Sequence, residues 1–295
     1  MLSYGVFRLR SRLGCSIVLA ACSAACHLAS THAPVSEGSP QRIISVVPSA
    51  TETLFAFGLA DRVIAVGDYD RLPPEAGDRP RIGGLLNPNL EKIIEFKPDL
   101  VITYGSQAVL QERLQALGIR IYPFTHGGVE HTLQYMLDLG SAVGVQEKAQ
   151  ETIRRIRNAF DDVRAHAPAV HPKILLVHNR GIGTVGSFYS VGARAFQHEL
   201  IIMAGGVNVF GDVDKEVIQP TLEEVIAREP DIILETLPST LGSREAEQRK
   251  EDWKALPKTP ALTNGRVYII GDDDLLVPGP RLDRAARRLA EIIGK

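Results

Sequence analysis

Short apolar runs alternate with amphipathic stretches from Arg42 to the end of the chain. The apolar runs have the length and composition of buried strands, whereas the stretches between them carry apolar residues at helical spacing. This alternation predicts an α/β fold built on parallel sheets. The predicted strands of the first half are Ile43–Val47, Val63–Val66, Leu100–Tyr104 and Ile119–Phe124. The predicted helices between them are 51–59, 90–96 and 108–117.

The pattern changes between Val145 and His166, where one long charged segment carries a single apolar stripe. Such a stripe predicts a long amphipathic helix, and Pro168 then prevents its continuation. A second α/β series follows, with predicted strands at 174–177, 232–235 and 267–270 and a helix at 193–204. We therefore predict two Rossmann-like lobes joined by one spine helix. Their bounds are 42–143 for the N-terminal lobe, 144–168 for the connecting helix and 169–295 for the C-terminal lobe.

An internal repeat supports the division into two lobes. The segment 87–102 matches 219–234 in register, with proline, leucine, glutamate, isoleucine and a Pro-Asp pair recurring. Each copy predicts a helix capped by Asn89 or Thr221, a stop at the Pro-Asp pair, and a buried strand. Where two such sheets face each other, ligands bind beyond the carboxyl ends of the strands.

Composition narrows the functional classes. The chain has 295 residues, 44% of them hydrophobic and 23% charged, which is enough to bury a full core. Its formal net charge is -2. Nucleic-acid binding requires a strongly basic surface, so this class of function is not expected. The three cysteines, Cys15, Cys22 and Cys26, all precede the folded body, so the body has no disulfide or thiolate site.

The N-terminus predicts export. A segment bearing Arg8, Arg10 and Arg12 precedes an apolar stretch that is too short to span a membrane. The stretch ends in Leu19-Ala20-Ala21-Cys22, which looks like a bacterial lipobox. We predict a signal peptide at 1–21, acylation of Cys22 and a flexible tether at 22–41. The alternative is an ordinary signal peptide cleaved further on, without a lipid.

Several motifs of the body resemble one protein family. They are Pro48-Ser49-Ala50-Thr51-Glu52, Tyr69-x-x-x-Pro73-Pro74, and Asn89-Leu90-Glu91-x-Ile93 followed by Lys97-Pro98-Asp99. The chain after residue 41 resembles the Fe/B12 periplasmic binding domain, the helical-backbone metal receptors of ABC importers. Within that family it is most similar to cobalamin-binding members.

The resemblance implies capture of a corrinoid between the lobes and its delivery to an importer's permease and ATPase. The chain would then be a non-catalytic monomer in the periplasm or cell envelope, with no resident metal or cofactor, and would contact the membrane only through its lipid. Loops around Ser49, Tyr69 and Leu85 would line the cleft, with Tyr69 against the corrin ring. Leu85 departs from the family pattern, which has a tryptophan there. A ferric siderophore or haem is the alternative ligand.

The resemblance also implies a docking role for Glu91 and Glu223. They occupy equivalent places in the two repeat copies, in the first turn of each helix. Such glutamates would meet arginines of the importer, a pairing that sets orientation and encounter rate. The alternative is simple stabilisation of a helix N-terminus by a negative charge.

Three further side chains are candidates for the cleft. His126 and His178 each follow a predicted strand, where an imidazole can ligate cobalt or iron. The alternative is a hydrogen-bonded cleft histidine without a metal. Arg281 begins a predicted helix near the cleft and is suited to a carboxylate or phosphate of the ligand, unless it is simply solvated.

The segment Gly181–Gly186 has the spacing of a dinucleotide-binding fingerprint. Three residues separate it from the preceding strand, and no helical pattern opens on the glycines, as a phosphate site requires. We interpret it as a cleft loop or hairpin. A two-lobed α/β oxidoreductase or metal-cofactor enzyme using this loop is the alternative from another functional class.

Overall fold

The computed structural model describes residues 38–71, 73–238, 242–257, 259–271 and 273–295. The predicted signal peptide, Cys22 and the tether up to residue 37 lie outside these ranges. Residues 38–41, the end of the predicted tether, contact the folded body. Pro40 is buried, and the Gln41 amide donates to Asp99 over 2.7 Å.

The N-terminal half forms a four-stranded parallel sheet in the order β2-β1-β3-β4. Its strands are β1 Ile43–Ser45, β2 Val63–Val66, β3 Leu100–Tyr104 and β4 Arg120–Phe124. Its helices are α1 Pro48–Ala56, α2 Leu90–Glu95, α3 Ala108–Ala116 and α4 Val129–Ala142. The four predicted strands are confirmed. Helix α1 begins three residues before the predicted start, because proline is well suited to the first helical turn.

The spine helix is α5, Gln146–Ala165. Its buried residues include Ala149, Ile153, Ile156 and Phe160, which confirms the predicted apolar stripe. Helix α5 packs against α4 on one side and against the last helix of the chain on the other. It therefore lies between the two sheets.

The C-terminal half contains a second four-stranded parallel sheet, in the order β10-β9-β5-β7. Its strands are β5 Lys173–His178, β7 Val207–Asn208, β9 Ile232–Leu237 and β10 Val267–Gly271, and β6 Ser190–Val191 pairs antiparallel with β8 Val217–Ile218. Its helices are α6 Phe196–Met203, α7 Leu222–Arg228, α8 Ser243–Asp252, α9 Pro260–Thr263 and α10 Leu282–Ile293. The two parallel sheets confirm the predicted fold class.

The helix caps of the repeat are present in both copies. The Asn89 side chain accepts from the Lys92 amide over 3.0 Å at the start of α2. At the start of α7, the Thr221 hydroxyl accepts from the Glu224 amide over 3.2 Å. The Glu224 carboxylate accepts in return from the Thr221 amide over 2.8 Å. The second copy therefore has a full capping box.

The stop after each repeat helix is also shared. Lys97 and Glu229, at equivalent positions, both have a left-handed backbone, with φ of 47° and 50°. Asp99 accepts from the amide just before β1, and Asp231 accepts from the first amide of β5. Each aspartate therefore joins the end of its helix to the first strand of its own sheet.

One hydrophobic core connects the two sheets. It includes Ile44 and Ile102 of the first sheet, Ile156 of α5, Leu176 of the second sheet and Leu289 of α10. A second, smaller core surrounds Trp253 on the other face of the second sheet. An extensive apolar interface opposes relative motion of two lobes, so the space between them has a defined shape.

Candidate functional site

The carboxyl ends of strands from both sheets border a cleft. Two cavities in it, of about 550 and 420 Å³, share His126 as a lining residue. The larger is lined by the N-terminal half, including Leu85 and Tyr104. The smaller is lined mainly by the C-terminal half, including His178 and Thr236. Parallel α/β sheets bind ligands at this edge.

A third cavity is larger, at about 930 Å³, but lies between α1 and the start of α10. Several of its charged side chains already pair with one another or with nearby residues. Arg281 is paired with Glu52, and Arg155 with Asp283. A ligand would have to break these ion pairs to use the charges, so volume alone does not make this cavity the better candidate.

The N-terminal wall of the cleft is aromatic. The rings of Tyr104, at the end of β3, and His126, just after β4, stack with centroids 5.6 Å apart and an interplanar angle of 21°. Phe124 meets His126 edge to face at 5.3 Å. Burial raises the pKa of Tyr104 to about 12, so its hydroxyl stays protonated. Tyr104 was not among the predicted cleft residues, although its place at the end of a buried strand was a usable signal.

Two of the three N-terminal residues predicted to bind ligand, Tyr69 and Leu85, lie on neighbouring loops. Tyr69 is 61% exposed, and its ring lies beside Gly84. Leu85 lines the larger cleft cavity, and its carbonyl accepts from the Gln107 side chain over 2.6 Å. The structure therefore places the predicted pair close together, with the aliphatic Leu85 in the wall.

On the C-terminal wall, His178 offers an unused nitrogen. Its Nδ1 lies 2.6 Å from the Thr236 hydroxyl, whose other neighbour is the Val177 carbonyl at 3.4 Å. Where the Thr236 hydroxyl donates to the Val177 carbonyl, Nδ1 carries the ring proton and Nε2 has a lone pair. Within the described residues, Nε2 is buried and has no hydrogen-bond partner. Burial lowers the pKa of His178 to about 4, so the ring is neutral at physiological pH.

A polar contact between His126 and Glu216 crosses the cleft. His126 Nδ1 lies 3.5 Å from Glu216 Oε1, and both side chains are about half exposed, at 52% and 45%. An exposed pair at this distance contributes little to stability. His126 therefore faces both the aromatic wall and the C-terminal half.

Ser49 and Arg281 are placed in contacts between the halves. The buried Ser49 hydroxyl donates to the Pro278 carbonyl. Arg281 donates twice to the Glu52 carboxylate over 2.8 Å and also pairs with Asp274. Both side chains therefore have protein partners, and their predicted ligand contacts remain a prediction.

Glu91 and Glu223 are exposed in the first turns of α2 and α7. Neither forms an ion pair within the described residues. Leu90, next to Glu91, lines the larger cleft cavity, whereas Glu91 is not among the lining residues of that cavity.

The glycine-rich segment is a turn, and the next helix begins only at Phe196. The chain reverses so that Tyr189 pairs with His178 through two backbone hydrogen bonds of 2.8 and 2.9 Å. This confirms the interpretation of the segment as a hairpin-like loop, and its place at the cleft remains a prediction.

No cluster of three or more histidine, cysteine or acidic side chains suited to a metal ion occurs in the described residues. No helix in that part of the chain is long and apolar enough to cross a membrane.

The sequence profile of the periplasmic binding protein family matches residues 43–273. The chain therefore belongs to this family, as the sequence motifs predicted. Among its relatives is the vitamin B12-binding protein of Vibrio parahaemolyticus, 28% identical over 85% of this chain and 88% of the relative.

Solved structures share the fold. The periplasmic vitamin B12-binding protein of Vibrio cholerae superposes with a TM-score of 0.71 at 24% identity, covering 87% of this chain and 97% of that one. The periplasmic haem-binding protein of Roseiflexus superposes with a TM-score of 0.73 at 23% identity, covering 87% and 98%. The two-lobed architecture is thus common to proteins named for different metal macrocycles.

Proposed function

We propose that the chain is the substrate-binding protein of an ABC importer and holds one corrinoid in the cleft between its lobes. The observation that carries this proposal is the cleft itself, with the stacked rings of Tyr104 and His126 on one wall and His178 on the other. Flat aromatic surfaces suit a planar macrocycle. The relative named as a vitamin B12-binding protein supports the corrinoid. Capture makes and breaks no covalent bond.

A haem or ferric siderophore is the second candidate ligand. The unpartnered Nε2 of His178 supports it, because a neutral imidazole nitrogen is a good ligand for iron as well as cobalt. The nitrogen suits a metal with an open axial position. Cobinamide, which lacks its own nucleotide base, would offer such a position among corrinoids.

The test is spectroscopic. The purified protein is incubated separately with cyanocobalamin, dicyanocobinamide, haemin and a ferric chelate, then desalted, and its ultraviolet-visible spectrum is recorded. We expect corrinoid bands at one ligand per chain, with weaker retention in Tyr104→Ala. Retention of haemin or the ferric chelate alone would replace the corrinoid with the second candidate. An increase in melting temperature with NAD or ATP, together with no increase for any macrocycle, would favour the enzyme alternative.

We propose that Glu91 and Glu223 dock the protein onto its permease. The carboxylate of the adjacent Glu224 already accepts a hydrogen bond from the Thr221 amide. In the first lobe, Lys92 is the residue equivalent to Glu224. Each lobe therefore presents one uncommitted carboxylate in the first turn of its repeat helix. Two such charges, one on each lobe, can fix the orientation of the protein on basic groups of a partner.

Charge reversal of both glutamates tests this role. Glu91→Lys with Glu223→Lys should leave ligand affinity nearly unchanged and abolish stimulation of the transporter ATPase in proteoliposomes. The matched control reverses Glu95 and Glu229, which lie at the other ends of the same helices and are also exposed. Equal ATPase stimulation by both double variants would remove the docking role.

We also propose export and anchoring of a monomer through acylated Cys22. The lipobox-like motif supports this assignment. Mass spectrometry of the mature N-terminus should find a diacylglycerol on Cys22, and light scattering should give the mass of one chain. An unmodified N-terminus beginning beyond Cys22 would instead indicate a free periplasmic protein.

A further inference from the structure

A buried ionic cluster lies directly behind the C-terminal wall of the cleft. Its centre is Glu235 of β9, whose side chain is 0% exposed. The Glu235 carboxylate accepts from Arg180 over 2.9 Å, from Arg249 over 2.8 Å and from the Trp253 indole over 2.9 Å. The Arg180 guanidinium also lies over the Trp253 ring, 5.1 Å from its centroid. With Asp252, these residues form what we call the Glu235 cluster.

The cluster holds the glycine-rich loop from beneath. Arg180 donates to the carbonyls of Gly181 and Thr184 over 3.1 and 2.5 Å. Asp252 accepts from the Gly183 amide over 2.8 Å and from Arg180 over 3.0 Å. A loop of glycines has little conformational preference of its own, so these bonds set its shape.

The same cluster adjoins His178. Thr236, which fixes His178 Nδ1, is the residue after Glu235 on β9. Arg249 donates to the Arg180 carbonyl over 2.7 Å, two residues after His178. His178 is therefore held on two sides. Thr236, next to Glu235, fixes its ring, and the following backbone at Arg180 is bonded to Arg249.

Stability alone is a poor explanation for this arrangement. Two arginines and two carboxylates are removed from water, and buried ion networks often add no stability over apolar residues of similar volume. A fully bonded buried network does specify one geometry. In this chain, the geometry that it specifies includes a wall of the cleft.

We propose that the Glu235 cluster positions the C-terminal wall of the ligand cleft, with Arg180 as the positioning residue that connects the cluster to the loop. The role in ligand binding rests on the proposed function of the cleft. The role in shaping the loop does not.

The first experiment needs no ligand. Hydrogen exchange of a peptide covering residues 179–188 is compared in the wild type, Arg180→Met and Arg228→Met. Arg228 is a matched control, since it also lies over an aromatic ring, Phe210, and pairs with an aspartate, Asp212. We expect at least tenfold faster exchange of the Gly183 and Gly186 amides in Arg180→Met only. Unchanged exchange in Arg180→Met would overturn the proposal.

The second experiment measures the dissociation constant for cyanocobalamin. Arg180→Met should weaken binding at least tenfold, and Arg228→Met should not, even if both lower the melting temperature. Asp252→Asn retains the shape of the side chain and should weaken binding less than Arg180→Met. It replaces Arg180→Met in the experiment if Arg180→Met does not fold.

A double-mutant cycle with His178→Ala separates positioning from general damage. If Arg180 acts through the wall that carries His178, its effect on the dissociation constant should shrink in the His178→Ala background. A full effect in that background, or native affinity in a folded Arg180→Met, would overturn the proposal. If the wild type binds neither cyanocobalamin nor haemin, the proposed function fails, and hydrogen exchange still decides the positioning role.

Discussion

Asp70 is the residue whose replacement should change stability most strongly with pH. It follows Tyr69 by one residue and is only 1% exposed. Burial raises the pKa of its carboxyl to about 7 from an ordinary value of 3.8, although Thr51, Gly67 and Arg81 nearby oppose the change. In the described residues, neither carboxylate oxygen has a hydrogen-bond partner of good geometry. The perturbation is Asp70→Asn, which removes the charge and retains the shape.

The magnitude follows from the difference between the two pKa values. Between pH 3.8 and about 7 the unfolded chain has an ionised Asp70, whereas the folded chain keeps it protonated. A raised carboxyl pKa therefore contributes stability that is complete below about pH 4 and is lost as the pH rises to about 7. At about 1.4 kcal/mol per pH unit, the loss is about 4 kcal/mol.

The assay is urea unfolding of the wild type and Asp70→Asn at pH 4, 5, 6, 7 and 8. The difference in free energy of unfolding between them should move in favour of the variant by about 4 kcal/mol from pH 4 to pH 8. Taking the difference cancels groups that titrate equally in both proteins. Asp68→Asn, which removes an exposed carboxylate two residues earlier, is the matched control. A difference for Asp70→Asn that stays constant with pH would refute the reasoning.

Three further substitutions have defined outcomes. Leu85→Trp should tighten cyanocobalamin binding by about 0.5–1.5 kcal/mol in calorimetry, as one added stacking contact would; unchanged affinity would mean that the loop does not face the ring. Thr221→Ala removes the side-chain cap of α7 and should lower the free energy of unfolding by about 1 kcal/mol in urea, and a negligible change would contradict this. Gly128→Ala would place a methyl group on the Glu199 carboxylate, which accepts from the Val129 amide. It should cost about 1–3 kcal/mol by thermal unfolding, and Glu199→Ala should remove most of that cost if the contact is responsible.

The candidate site was only partly predictable. His178 was selected because it ends a predicted strand, whereas Leu85 was selected because the family resemblance implied it; both line the cavities. Tyr104 was missed because a tyrosine at the end of a buried strand can belong to the hydrophobic core as readily as to a binding cleft. Its function as a wall depends on His126, 22 residues later, which only strand pairing brings against it.

Local patterns were sufficient for the longer parallel strands, for the spine helix and for the two-lobed plan, although α4 and α8 were not predicted. Strand and helix periodicity depends on neighbouring residues. The repeat at 87–102 and 219–234 contains the same order of helix, helix stop and strand in both copies. The left-handed turns at Lys97 and Glu229 show why both copies keep this pattern. These features are short-range, so one sequence contains all that is needed to predict them.

Long-range partners were decided only by the tertiary structure. The pairing of Arg281 with Glu52, 229 residues away, could not be read from the sequence, and its predicted ligand contact remains a prediction. Arg180 has no local partner in the sequence that would distinguish it from a solvated arginine, yet it is fully buried against Glu235 and Asp252. A charged side chain can be buried only where an opposite charge meets it, and which charges meet depends on how the sheets and helices pack.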